Sequence, residues 1–306
     1  MRHNNRRKRQ QKERKVFLFL LSFLIVALGF FVFHYKDSLQ FSKTTTQDKT
    51  SQVSTNPKVK NNIKKDTNQT KNKTTWTKAE QPVKIPILMY HAIHNMAPEE
   101  AASANLIVAP DVFESHIKQL SEQGYYFLSP EEAYRVLSKN ELPSDKVVWL
   151  TFDDSMIDFY RVAYPILKKY QAKATNNVIT GFTQNNSVAN LTIDQMKEMK
   201  KHGMSFQDHT VNHPDLSQQN EVTQNFEMQD SMEFLDKELS QKTIAIAYPA
   251  GRYSDKTLEI ASRLNYKLGV TTNEGLASAA DGLLSLNRVR ILPNTTAEIL
   301  MATITQ

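Results

Sequence analysis

Short apolar segments alternate with stretches of helical spacing from Ile85 onward, and this alternation limits the possible folds more than any other feature. The segments are IPILMYHAI, KVVWLTF, ATNNVIT, MSFQDH, TIAIAYP, YKLGVTT and LLSLNRVRIL. Several are apolar along their whole length, which is typical of strands buried on both faces. Helical spacing is found at residues 111–123, 130–137, 156–170, 192–202, 221–239 and 255–264.

Strands that alternate with helices predict an α/β domain with a mostly parallel sheet. Units of this number, within residues 85–306, fit a (β/α) barrel of about seven strands that is distorted or incomplete. A doubly wound open sheet is the structural alternative, because it uses the same units without closing.

The N-terminal part of the chain has a different pattern. Residues 1–15 contain eight Lys or Arg and one Glu, and the apolar stretch VFLFLLSFLIVALGFFVF follows from Val16. A helix of this stretch would be roughly 27 Å long, which is about the thickness of a bilayer core. We therefore predict a cytoplasmic basic tail over residues 1–15 and a transmembrane anchor over residues 16–35, with the rest of the chain outside. A cleaved signal peptide is the alternative, but the stretch is longer than a usual h-region.

Composition separates a linker from the folded domain. Residues 36–84 are rich in Thr, Asn, Gln, Ser and Lys, which predicts a disordered extracytoplasmic linker. Of the 38 Lys and Arg residues 19 precede Ile85, but only 5 of the 32 acidic residues do, so residues 85–306 have a formal net charge of −8. The basic excess lies before this domain and does not indicate nucleic-acid binding. Cysteine is absent, which excludes disulfides and thiolate metal ligands.

Candidate metal ligands follow two of the predicted strands. Asp153 and Asp154 end KVVWLTF, and reactive groups of a (β/α) barrel cluster just past the carboxyl ends of its strands. A strand-ending turn or a helix cap would also explain two such acids. His209 and His213, in DHTVNHP, follow another strand four residues apart. Two imidazoles with one carboxylate leave open positions on a divalent metal, which is the arrangement of a catalytic site.

The motifs TFDD, HTVNHP and AYPAG resemble, in this order, those of the polysaccharide deacetylases with a NodB homology domain. These enzymes are metal-dependent hydrolases that remove acetyl groups from sugars, and the resemblance covers residues 85–292. It implies that Asp154, His209 and His213 bind a divalent metal, with zinc expected and cobalt or nickel as alternatives. It also implies that Asp153 is the general base that activates the attacking water.

The AYPAG motif corresponds to a loop that helps to hold the oxyanion of the transition state. Its expected members are Tyr248, Pro249, Ala250 and Gly251, with a backbone N–H near Ala250 as the donor. Taken alone, the motif would indicate only a turn after a strand. Two positions depart from many relatives. Ser155 stands where glycine is common, and Ala247 stands where an arginine often orients the base.

The late catalytic histidine of many members is absent, since no histidine follows His213. The corresponding segment SLNRVRI has Arg288 and Arg290 instead, which are candidates for binding substrate. His91 ends the first predicted strand, and its YH dipeptide resembles the subgroup that deacetylates exported poly-N-acetylglucosamine. In that subgroup such a histidine is the general acid, so the resemblance implies this role for His91.

The expected function is hydrolytic removal of acetyl groups from an N-acetylated polysaccharide of the cell surface or wall. The expected partners are this polymer and, through residues 16–35, the membrane, with no nucleic acid. The alternative is a metal-containing glycan-binding module that has lost turnover, which the departures at Ser155 and Ala247 suggest. Phosphoryl transfer is less favoured, because nothing in the sequence would cradle a phosphate.

Overall fold

The computed structural model describes residues 75–305 and contains a closed barrel of parallel strands. Its strands are β1 (Ile87–Tyr90), β2 (Val147–Phe152), β3 (Ala174–Val178), β4 (Met204–Asp208), β5 (Ala245–Ala247), β6 (Leu268–Glu274) and β7 (Leu286–Arg290). Neighbouring strands pair in the order β1-β7-β6-β5-β4-β3-β2, and β2 pairs with β1. The predicted seven-stranded (β/α) barrel is confirmed, and the open-sheet alternative is wrong because the first two strands close the sheet.

Helices cover the outside of the barrel. They are α1 (Pro110–Glu122), α2 (Pro130–Lys139), α3 (Tyr164–Lys169), α4 (Thr180–Gln184), α5 (Ile193–Lys200), α6 (Glu221–Leu239), α7 (Asp255–Arg263) and α8 (Ala297–Ile304). The helix predicted at 156–170 is interrupted, because a π-helical turn at Phe159–Ala163 precedes α3. Pro165 lies just after this turn and has no N–H to donate to a regular α-helical ladder.

Short elements complete the connections. Short 3₁₀ helices occur at Pro98–Leu106, Leu216–Gln218, Pro249–Gly251 and Ala279–Asp281. Two-residue strands pair Thr77–Lys78 with Glu141–Leu142, Lys84–Ile85 with Ala277–Ser278, and Ala92–Ile93 with Ile107–Val108. The strand Tyr126–Phe127 adds to β2 outside the barrel.

Alternating side chains along each strand build two hydrophobic layers. Ile87, Trp149 and Leu286 belong to the cluster that fills the barrel, and Leu88 and Phe152 belong to the cluster beneath the helices. This is the two-residue period expected of strands. The polar atom of Trp149 is satisfied inside the barrel, since its Nε1 donates to Thr175 Oγ1 at 2.7 Å. The packed interior leaves the carboxyl ends of the strands as the place for a site.

The chain enters the domain at the end of the barrel where the strands begin. Lys84–Ile85 directly precedes β1, and Thr77–Lys78 pairs with the segment that leads into β2. The ring of Trp76 lies 4.0 Å from the guanidinium of Arg135. Asn140 donates to the carbonyl oxygens of Ala79 and Gln81 at 2.7 Å each. Residues 75–84, which the sequence predicts to belong to the linker, are held against the domain by these contacts.

Within residues 75–305, no helix is both long enough and apolar enough to cross a membrane. The predicted basic tail, the anchor and residues 36–74 of the linker lie outside the described residues. Their assignments stay predictions.

Candidate active site

The structure brings together the three predicted metal ligands. Asp154 follows β2, and His209 and His213 lie in the loop after β4. One ligand atom from each lies within 4.8 Å of the others. Asp154 Oδ1 is 3.4 Å from His209 Nε2 and 3.6 Å from His213 Nε2. One oxygen and two imidazole nitrogens suit zinc, cobalt or nickel, so the donor set fits a divalent metal.

A backbone contact orients His209 toward this centre. Its Nδ1 donates a hydrogen bond to the carbonyl oxygen of Ala247 at 2.6 Å, which leaves Nε2 directed at Asp154. Such a bond selects the tautomer of a metal-binding histidine. Ala247 is therefore a structural partner of the site, although its side chain cannot orient the base.

The two ligand loops use left-handed backbone conformations. Asp154, Ser155, Thr210 and His213 have φ values of +74°, +51°, +67° and +58°. Such angles are uncommon for residues with a side chain and often mark functional sites. Thr210 Oγ1 accepts the backbone N–H of His213 at 3.0 Å and helps to hold the second ligand. Glycine adopts such an angle most easily, but Ser155 adopts it here with its side chain.

A buried polar cluster supports the loop from below. The Asp208 carboxylate accepts the backbone N–H of Thr210 at 2.5 Å and the hydroxyl of Ser231 at 2.8 Å. The hydroxyl of Tyr266 donates to the same carboxylate. Burial raises the pKa of Asp208 to about 7, although these hydrogen bonds oppose the shift. These contacts fix the backbone directly after β4, where His209 begins the loop.

Asp153 lies beside the metal ligands inside the barrel mouth. Arg288 Nη1 donates to its Oδ1 at 2.9 Å, and Arg288 Nη2 donates to its Oδ2 at 2.7 Å. Asn177 Nδ2 donates to Oδ1 at 2.7 Å. Burial raises the pKa of the Asp153 carboxyl, but the charges of Arg288 and His209 outweigh it, and the pKa lies well below its usual range. Asp153 is therefore held ionised.

The position of Arg288 corrects its assignment as a substrate-binding residue. Its side chain is fully buried, and Nε donates to the carbonyl oxygen of Thr271 at 2.7 Å. Its guanidinium is thus committed to protein acceptors. Arg290 is half-buried at the end of β7 and makes no hydrogen bond or ion pair with residues 75–305. Its assignment as a substrate-binding residue stays a prediction.

His91 faces Asp153 across the mouth. Its Nε2 is 4.0 Å from Asp153 Oδ2, and its side chain is 14% exposed. Burial lowers the pKa of His91, while Asp153 and Asp154 oppose this shift. The structure thus places His91 close enough to share a bound substrate with Asp153.

The predicted oxyanion loop is built on buried side chains. Tyr248 and Pro249 are buried, and the Tyr248 hydroxyl donates to the carbonyl oxygen of Leu284 at 2.9 Å. Their side chains support the loop and do not face a ligand. Ala250 is exposed at φ +52°, and its N–H makes no hydrogen bond within the described part of the chain. Gly251 has φ +69°, and a Cβ there would lie 2.1 Å from Thr272 Oγ1.

Sequence reasoning missed two residues that position Asp153. The sequence indicates substrate binding for Arg288, and no motif includes Asn177. Asn177 and Thr175 alternate along β3 with residues of the outer hydrophobic layer, so both face the barrel interior. Polar residues at alternate positions of a buried strand were the available signal.

A parallel (β/α) barrel with an Asp-His-His cluster that could hold a divalent metal, beside an ionised carboxylate, is the arrangement of a hydrolase. The family model described as polysaccharide deacetylase matches residues 140–269. YxkH of Bacillus subtilis, which carries a provisional polysaccharide deacetylase name, is 42% identical over 218 residues, 71% of this chain and 75% of YxkH. The chain belongs to the polysaccharide deacetylase family.

Two further relatives bear on this assignment. The solved deacetylase PplD of Streptococcus pyogenes, in complex with acetate, is 72% identical, with a TM-score of 0.72 over 73% of this chain and 99% of PplD. The poly-beta-1,6-N-acetyl-D-glucosamine N-deacetylase of Staphylococcus aureus is 33% identical over 182 residues, which are 56% of this chain and 62% of that protein. The chain is therefore a polysaccharide deacetylase, an enzyme of the hydrolase class.

Proposed function

We propose that the chain removes acetyl groups from N-acetylglucosamine residues of a cell-surface or cell-wall polysaccharide. Water cleaves the amide C–N bond, its hydroxyl joins the acetyl carbon to give acetate, and the sugar nitrogen gains a proton to become an amine. Support comes from the Staphylococcus aureus relative, which is named for an N-acetylglucosamine polymer, and from PplD, which holds acetate. The carrying observation is that Asp153 lies beside the Asp154, His209 and His213 cluster and faces His91.

Asp153 is the proposed general base. A divalent metal held by Asp154, His209 and His213 would supply Lewis-acid chemistry to the carbonyl and to the attacking water. Asp153 then takes a proton from that water, because Arg288 and Asn177 hold the carboxylate ionised and in a fixed orientation. The uncommitted N–H of Ala250 would stabilise negative charge on the carbonyl oxygen.

His91 is the proposed general acid. An amide nitrogen leaves poorly as an anion, so a donor must deliver a proton to it as the C–N bond breaks. Burial and the low pKa make protonated His91 a stronger acid than a free imidazolium. Its Nε2 lies 4.0 Å from Asp153 Oδ2, and this proximity supports a donor and a base that act on the same amide.

A glycan-binding module without turnover is the second candidate, and the residues Ser155 and Ala247 suggest it. The structure offers a substitute for the function expected at each of these two positions. Arg288 occupies the role expected for an arginine at Ala247, because it binds both oxygens of Asp153. Ser155 adopts the left-handed backbone angle directly.

Acetate release tests the proposal. The purified full chain, loaded in turn with Zn²⁺, Co²⁺ and Ni²⁺, would be incubated with poly-N-acetylglucosamine and with peptidoglycan. We expect acetate and new amines from at least one polymer in equal amounts. Binding of both polymers with no acetate under any metal would establish the glycan-binding alternative.

The location of the enzyme is also proposed. Residues 16–35 and their basic flank would anchor the chain in the membrane, with the catalytic domain outside the cell. Protease added to intact cells should release the domain, and the full chain should sediment with membranes. A soluble, N-terminally processed protein as the main product would contradict this.

A further inference from the structure

Three exposed apolar side chains form a lip beside the metal ligands, which we call the apolar lip: Met156, Phe182 and Val188. Their exposed fractions are 37%, 44% and 91%. They come from the turn after β2 and from the segment 180–192, which includes α4. Large apolar side chains left in water beside a site commonly mark a surface that binds something.

The lip is attached directly to both metal-ligand loops. The backbone N–H groups of Thr180 and Gly181 donate to the carbonyl oxygens of Thr210 and Val211, at 3.1 and 2.9 Å. A Cβ on Gly181 would lie 2.5 Å from the Val211 carbonyl oxygen, so the two segments touch at backbone distance. The segment that carries Phe182 is thereby fixed to the loop that holds His209 and His213.

The other edge of the segment is attached to the Asp154 turn. Leu191 N–H donates to the Ser155 carbonyl oxygen at 2.9 Å, and Asn190 Nδ2 donates to the Asp154 carbonyl oxygen at 2.9 Å. Ile157 N–H donates to the Ala189 carbonyl oxygen at 2.8 Å. Val188 and Met156 thus stand on a rigid rim that borders the reacting position.

The chemistry of the segment favours a neutral, polyhydroxylated ligand. Residues 180–192, TGFTQNNSVANLT, contain no charged side chain. Gln184, Asn185 and Asn186 are exposed, and their side-chain amides make no hydrogen bond to other residues of the described chain. A sugar ring offers an apolar C–H face with hydroxyls at its edge, which match an aromatic platform bordered by free amides. A surface that binds anionic lipid would need Lys or Arg, which this segment lacks.

We propose that the apolar lip and its amides form a subsite for the sugar residues that flank the one being deacetylated. The inference rests on the proposed function, since it assigns the substrate of that site as an extended N-acetylated glycan. The ring of Phe182 packs against the face of a neighbouring sugar, and Val188 extends that contact. The subsite makes the enzyme prefer a polymer to a short oligomer.

Chain-length preference tests this subsite. The full chain and its Phe182→Ala, Val188→Ala double variant would be assayed on the dimer and the hexamer of N-acetylglucosamine. We expect the hexamer-to-dimer ratio of kcat/KM to fall about tenfold in the double variant, mostly through KM for the hexamer. An unchanged ratio would overturn the subsite.

Matched controls are available on other helices. Val222, in the first turn of α6, is 80% exposed, and Ile299, in α8, is 51% exposed. The Val222→Ala and Ile299→Ala variants should keep the ratio of the wild type. If they lower the hexamer-to-dimer ratio as much as the double variant does, loss of any exposed apolar side chain explains the effect, and the subsite is refuted.

Two further readouts separate the explanations. Equilibrium binding of the hexamer, measured in an Asp153→Asn background, should weaken with the lip substitutions. The lip substitutions could weaken hexamer binding while the wild type releases no acetate. This result would refute the proposed function and leave the subsite standing. Reduced sedimentation of the double variant with phospholipid vesicles, with unchanged hexamer binding, would identify a lipid surface and overturn the glycan subsite.

Discussion

Arg288, in β7, binds both carboxylate oxygens of Asp153, which directly follows β2, although β1 separates these two strands. Bidentate arginine fixes a carboxylate in orientation as well as in charge. The contact lies inside the barrel, where the Arg288 side chain is fully buried and that of Asp153 is 3% exposed. It orients the proposed base without an arginine at residue 247.

Replacing Arg288 by Met should damage both turnover and stability. Asp153 would remain as a buried charge without its partner, which costs about 3–5 kcal/mol in free energy of unfolding. Loss of its orientation and charge should lower kcat by roughly 10² to 10⁴. Urea unfolding and acetate release measure the two effects. The Arg288→Met, Asp153→Asn double variant should recover most of the stability and none of the activity. A single variant with wild-type kcat would show that Arg288 does not position the base.

Metal content should depend on the histidines and not on Asp153. His209→Ala or His213→Ala should remove most bound metal and activity, since each takes away one of three ligands. Asp153→Asn should retain metal and lose about 10² to 10⁴ in kcat. Elemental analysis of the purified proteins measures this, with His202→Ala, an exposed histidine after α5, as the control. Equal metal in the wild type and the His209→Ala, His213→Ala double variant would refute the ligand assignment.

The His91→Gln variant should separate proton donation from binding. Glutamine keeps a similar size and cannot protonate the leaving nitrogen, so kcat should fall about 10² to 10⁴ while metal content and folding are retained. The alkaline limb of the pH profile of kcat/KM, which reports deprotonation of the acid, should flatten. A near wild-type kcat would mean that another group or water supplies the proton.

The His94 side chain should make stability depend on pH near neutrality. Its Nδ1 is 3.0 Å from Asp158 Oδ2, and its Nε2 is 3.0 Å from Glu100 Oε1. Burial lowers the pKa of His94, but these carboxylates outweigh it, and the pKa lies above its usual value. The stabilisation is therefore complete below about pH 6.5 and is lost as the pH rises through the raised pKa.

This dependence is measured as the difference in Tm between the wild type and His94→Gln, both loaded with metal. The difference should be largest near pH 6 and shrink toward pH 8. His202→Gln, at an exposed histidine outside these ion pairs, serves as the control. A difference that grows with pH would contradict the ion pairs assigned to His94.

Gly251→Ala should destabilise the oxyanion loop far more than Gly124→Ala. Both glycines have positive φ, +69° and +77°, so both substitutions carry the cost of a left-handed backbone, about 1–2 kcal/mol. Only at Gly251 would the new Cβ meet Thr272, at 2.1 Å from Oγ1 and 2.6 Å from the backbone nitrogen. Unfolding midpoints measure the difference. Equal midpoints would show that the loop shifts freely.

The fold was predictable because its signals are local. Several of the buried strands are short apolar runs, and most helices show their spacing within a single segment. The helix α4 was missed, since five residues are too few for a period. The strand Thr77–Lys78 was missed because Asn140, about sixty residues later, holds that segment in place.

The site was predictable only in part. The ligands Asp154, His209 and His213 lie in motifs at strand ends, and these motifs can be recognised in one sequence. The pairing of Arg288 with Asp153 joins residues 135 positions apart, and it depends on how the barrel closes. Strand order and register are not contained in the periodicity, so no local pattern could reveal this partner.

The entry of the chain at residues 75–84 has a practical consequence for handling the enzyme. These residues join the barrel at the end where strands begin, and the ligands lie where strands end. A bead or sensor surface coupled ahead of Trp76 would therefore face the closed base of the barrel. The mouth would stay open to a long, insoluble polymer, so an enzyme immobilised in this way is suited to measuring acetate release from intact polysaccharide.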